Sequence, residues 1–150
     1  MKKVGFLTSV LVGFFVTSGY VHAHGDAHPD ALTPANGGQV QVAGPNHFEL
    51  VVAKTSKDLG DNPVLVYVTD DAGKKLSTSG ATGTAMLLAG KDKAVVVLTP
   101  DGENRMKGMG KYASTPGLKA LVSVTLAGKA AEQARFTPLA VGDGHTDHTH

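Results

Sequence analysis

The chain has 150 residues, 14 Lys and Arg against 13 Asp and Glu, no cysteine and no tryptophan. A charge this close to balance gives no electrostatic case for nucleic acid or for an anionic lipid surface. The absence of cysteine excludes disulfide staples, thiolate metal centres and cysteine nucleophiles.

Met1-Lys2-Lys3 is a short basic start, followed by an apolar run from Val4 to Val16. The run is shorter than the ~20 residues a membrane-crossing helix requires. Residues 17–23 are more polar, and Val21 and Ala23 occupy the −3 and −1 positions of a signal peptidase site. Residues 1–23 therefore read as an export signal cut after Ala23, which places the mature protein in the periplasm with no stable membrane insertion. Cleavage removes Lys2 and Lys3 and leaves 12 basic against 13 acidic residues, a net charge of −1. About 127 residues remain, enough for one self-supporting domain.

Residues 24–34 are polar and read as a flexible leader. The pattern changes at Gly38. Gln39-Val40-Gln41-Val42 alternates, Gly44-Pro45-Asn46 is a turn, and Phe48, Leu50 and Val52 fall on one face of an extended segment. Lys57 to Pro63 reads as a polar loop, and Val64 to Val68 as a central strand. Asp70-Asp71-Ala72-Gly73-Lys74 is a hairpin signal, because aspartate and glycine tolerate tight-turn dihedrals. Thr84–Leu88 and Ala94–Leu98 flank a second turn at residues 90–93, and Pro100 to Glu103 marks a third. Ala120, Val122, Val124 and Leu126 alternate with Ser123 and Thr125, and Ala131 to Phe136 forms a last strand closed by Pro138. No segment keeps a helical period. Seven or eight short strands separated by regular turns predict an all-β, immunoglobulin-like antiparallel sandwich over residues 35–138, with a tail at 139–150.

Histidine carries the main chemical signal. His22 leaves with the signal, His24 and His28 follow the cut, and His145, His148 and His150 end the chain. Only His47 lies in the body. An N-terminal His24 offers its α-amine and imidazole to one ion as a small chelate ring, a donor set that suits copper(II), and Asp26 or His28 can extend it. The H-x-x-H-x-H spacing of the tail lets two or three imidazoles converge on an ion. Copper is the favoured metal, with zinc or nickel as alternatives. Met106 and Met109, read as thioethers in a glycine-bearing loop, and His47 are weaker ligand candidates. The competing reading for the methionines is ordinary packing.

Catalysis finds little support. The chain has no G-x-S-x-G elbow, no H-E-x-x-H zinc motif and no phosphate loop ahead of a helix. Its carboxylates scatter over turns, so no enzymatic activity is expected.

Gly37-Gly38-Gln39-Val40, Gly44-Pro45-Asn46-His47-Phe48-Glu49-Leu50 and Val66-Tyr67-Val68-Thr69-Asp70-Asp71-Ala72-Gly73-Lys74 resemble a small β domain. It occurs near the start of periplasmic adaptor subunits of heavy-metal efflux pumps of the RND type, and as short exported proteins near metal-resistance systems. The resemblance covers residues 35–137. It implies metal buffering or delivery, with an efflux adaptor as partner. The alternative it leaves open is a scaffold domain docking on an adaptor or another envelope partner, its histidines incidental. Members carry His-Gly-Gly where this chain has Asn36-Gly37-Gly38, which moves the expected metal ligands from the domain entrance to the tails.

Overall fold

A computed structural model describes residues 32–141. They form eight strands: β1 Gln39–Ala43, β2 Asn46–Val52, β3 Gly60–Asp70, β4 Thr82–Ala89, β5 Asp92–Pro100, β6 Arg105–Tyr112, β7 Lys119–Thr125 and β8 Ala131–Phe136. There is no helix among the described residues. Every ladder is antiparallel, and the pairing order is β1-β2-β3-β6-β5-β4-β7-β8. The all-β expectation is met with eight strands.

Two four-stranded halves, β1-β2-β3-β6 and β5-β4-β7-β8, are joined by a short β5–β6 ladder of two pairs, Thr99 with Lys107 and Pro100 with Met106. The sheet then curls until β1 and β8 face each other. The Thr137 amide donates to the Gln39 side-chain oxygen at 2.8 Å across that seam. Among the described residues no backbone ladder crosses it, so the architecture is a nearly closed barrel of two packed halves.

The core follows from alternation, since successive side chains on a strand point to opposite faces. Phe48, Leu50, Val64, Val66 and Val68 from one half meet Leu87, Val96, Leu98, Val122 and Phe136 from the other, all essentially inaccessible to water. A fully buried aliphatic or aromatic side chain contributes roughly 1.5–3 kcal/mol relative to exposure.

Three expectations need correction. The segment read as a polar loop through Pro63 already belongs to β3, which starts at Gly60. Its first residues extend beyond β2, whose ladder begins at the Val52–Val64 pair, while β6 pairs with them on the other side. Pro63 is tolerated there because the missing N–H has no ladder partner to satisfy on the open side. The Asp70–Lys74 turn exists, with the Asp70 carboxylate accepting from the Ala72 and Lys74 amides at 3.0 and 2.8 Å. It folds the chain back antiparallel only as far as a single bridge, Thr69 with Lys75, and no second full strand follows, because β3 pairs with β2 and β6 and the chain crosses to the other half for β4.

The third correction concerns β6, which contains the Met106–Met109 segment read as a loop. Glycine depresses strand propensity, and two glycines there conceal the pattern. Both are required by packing. A Cβ on Gly108 would strike the Val97 carbonyl and the Val96 side chain, and one on Gly110 would strike Val96.

Candidate functional site

The outer face of the β1-β2-β3 half carries the first candidate. Glu49 points outward from β2, yet it is only 6% exposed because residues 35–38 lie across it. Its carboxylate accepts from the Asn36 amide at 2.7 Å, the Gly38 amide at 3.0 Å, the Ala35 amide at 3.1 Å and the Asn36 Nδ2 at 2.9 Å. Four donors replace the water that burial removed, and charge-assisted bonds of this kind are stronger than neutral ones. The result is a clamp that fixes the Asn36-Gly37-Gly38 entrance. Gly37 has φ +75°, and Gly38 packs so closely on the Leu50 carbonyl that no side chain fits.

Beyond the clamp lies a cavity of about 470 Å³ lined by His47, Glu49, Tyr67, Thr69, Asp71 and Asn104 with the leader residues Leu32 and Thr33. His47 and Glu49 share the outward face because they are two positions apart on β2. His47 is half-buried and is the only histidine among the described residues. Among them no three His, Cys, Asp or Glu side chains come together as a metal centre. Next along the face, Tyr67 of β3 pairs in register with Arg105 of β6. The Tyr67 hydrogen bond, and then Asp101 at 2.7 Å, hold the Arg105 guanidinium above its ordinary range. Both partners of the Arg105–Asp101 pair remain well exposed, so it contributes little to stability.

The sequence-derived ligands fare differently. His24, Asp26, His28, His145, His148 and His150 lie outside the described residues. Met106 is fully buried in the core, whereas Met109 is 56% exposed on the opposite face of β6. Two side chains on opposite faces of one strand cannot hold the same ion, which corrects the paired-methionine expectation. Met86 is 39% exposed on the outer face of β4.

That outer face is the second candidate, and sequence reading missed it. Met86 and Leu88 of β4 stand beside Val95 and Val97 of β5, the valines 63% and 69% exposed. The register aligns Leu121, Met86 and Val95 in one row across three strands, and Arg135 of β8 extends the row beyond Leu121. In the neighbouring row Leu88 lies between Lys119 and Lys93. A depression of about 360 Å³ opens here, lined by Met86, Leu88, Leu121 and Phe136 together with Lys119 and Arg135. The signal was present as alternate exposed positions, but it became visible only once the register placed them side by side.

Comparison with protein-family profiles, with curated proteins and with solved structures finds no match to this chain. No described helix is long and apolar enough to cross a membrane.

Proposed function

We propose that this is an exported transition-metal-binding protein that carries its ligands on its ends and buffers copper, zinc or nickel or hands them to a heavy-metal efflux system. The observation that carries the reading is the partition of histidine: one in the described β body, six of seven outside it. Within the body, His47 stands without further histidines, and the Glu49 carboxylate is already occupied by four backbone and side-chain donors. A β body of this kind serves as a carrier for ligands held elsewhere. The mature His24 terminus favours copper(II) through its amine–imidazole chelate. No catalytic role is proposed.

Native mass spectrometry of the exported protein, with copper and zinc offered in turn, tests this. A chain starting at His24 that holds one ion, and loses it in His24→Ala, is the expected result. A chain that retains no ion above nonspecific background would refute it.

A second reading, docking on an envelope partner such as an efflux adaptor, is favoured by the exposed apolar row Leu121–Met86–Val95.

A further inference from the structure

The outward positions of β4, β5, β6, β7 and β8 show a segregation of charge that the near-zero net charge conceals. Alternation places Arg105, Lys107 and Lys111 of β6, Lys93 of β5, Lys119 of β7 and Arg135 of β8 on this surface. The same alternation assigns it no aspartate or glutamate from these five strands. Arg105 is paired with Asp101, and Asp61 and Asp92 sit at the corner beside Lys93 and Lys111. Lys107, Lys119 and Arg135 make no ion pair with any described residue. Between them lie Met86, Leu88, Val95, Val97 and Leu121, with Met109 beside Val95.

Three kinds of occupant can be weighed on this pattern. A second copy applied face to face would set Lys119 and Arg135 against cations of the same surface, a like-charge juxtaposition that opposes pairing. A membrane surface is reached by residues that project into the interface, with tryptophan or phenylalanine among them. Here the apolar residues are aliphatic or methionine and stand on strands, level with the lysines. A protein surface with an apolar centre and an acidic rim satisfies both features at once, because interfaces commonly place apolar contacts centrally and polar ones around them. The depression beside Lys119 and Arg135 would admit one apolar side chain of such a partner, with a neighbouring carboxylate within reach of either cation. The exposed Val95 and Val97 continue the contact well beyond that depression, as an extended partner requires and a small ligand does not.

We infer that the outer face of β4, β5, β7 and β8 is a docking surface for a protein partner whose contact segment alternates or intersperses apolar side chains with aspartate and glutamate. The inference rests on the docking reading above and is independent of metal binding. Complementary rim charges accelerate and select encounter and make it sensitive to salt.

The test places a photo-cross-linking amino acid at Val95, and in a control at Asp71, which is exposed in the turn after β3 and lines none of the depressions that reach Val95, Leu121 or Arg135. The full chain is expressed in its native host, illuminated, and its adducts are identified by mass spectrometry. The expected result is a protein adduct specific to position 95 whose cross-linked peptide carries apolar and acidic residues. Its yield should fall about tenfold when Lys119→Glu and Arg135→Glu are combined, with circular dichroism and melting temperature unchanged. Lys93→Glu, on β5 beside Leu88, should also lower the yield, so that one misfolded variant does not decide the matter. Absence of any adduct specific to position 95 would overturn the docking reading as a whole. An adduct unaffected by charge reversal would overturn only the acidic-partner inference. Binding of the purified protein to vesicles of phosphatidylethanolamine and phosphatidylglycerol, lost on the same reversal, would overturn it in favour of a membrane.

Discussion

Asn36 and Glu49 meet twice. The Asn36 amide reaches one carboxylate oxygen of Glu49 at 2.7 Å and its Nδ2 reaches the other at 2.9 Å. The asparagine thus turns a buried carboxylate into a fastener for the chain that enters the barrel. A buried charge without such partners would cost several kcal/mol.

Glu49→Gln keeps the shape but converts one acceptor oxygen into a donor, so about half of the clamp is lost. The expected cost is about 1–3 kcal/mol. Hydrogen exchange should quicken at the Asn36 and Gly38 amides, while strands β4 to β8 keep their protection. Exchange measured by NMR on both proteins checks the outcome, and uniform loss of protection would argue against a local clamp.

Tyr112 is buried at the end of β6, donating its hydroxyl to the Pro63 carbonyl at 2.6 Å and accepting from the Ala53 amide at 2.9 Å. Burial pushes its phenol pKa above the ordinary 10.0, outweighing the Ala53 bond that favours the ionised form. Because the folded pKa is the higher one, the unfolded chain releases this proton first. The stabilising contribution is fully present below pH about 10 and is lost as pH rises through the folded value. Tyr112→Phe should cost about 1–3 kcal/mol at neutral pH, since it leaves both backbone groups unpaired. It should also flatten the alkaline limb of the stability curve, as read by urea melts at increasing pH.

Gly108→Ala and Gly117→Ala should separate sharply. The first drives a methyl into the Val97 carbonyl, whereas nothing lies within 4 Å of a Cβ on Gly117. We expect Gly108→Ala to destabilise by about 1–3 kcal/mol or more. Gly117→Ala should be neutral, or stabilise by up to about 1 kcal/mol through a less flexible unfolded chain. Paired thermal melts decide.

Metal binding by the terminal histidines requires neutral imidazole, so affinity should fall as pH drops through about 6.5. Copper titrated calorimetrically on either side of that value should show weaker binding and proton release on the acid side. Affinity unchanged across the interval would point to ligands other than histidine.

Much of the barrel was legible in the chain. Phe48, Leu50 and Val52, then Ala120, Val122 and Val124, alternate so regularly that their inward face could be assigned directly. β6 was hidden because its glycines serve a neighbour in space, Val96 and Val97, that no local pattern reveals. The same limit applies to Glu49. A glutamate in an apolar strand signals something unusual, but its partners at residues 35–38 are fixed by how the entering chain folds back. The apolar face was distributed over three strands that are not all consecutive in sequence. It required the β4–β7 pairing, a nonlocal choice, before Met86 and Leu121 became neighbours.

The seam between β1 and β8 has a consequence for assembly. An open sheet offers each terminal strand to any passing extended chain, and edge-to-edge growth into fibrils begins there. Here the two terminal strands are turned toward each other, and Gln39 holds Thr137 at their junction. With both edges shielded in this way, the barrel can expose Val95 and Val97 on a face without also presenting a template for fibril growth.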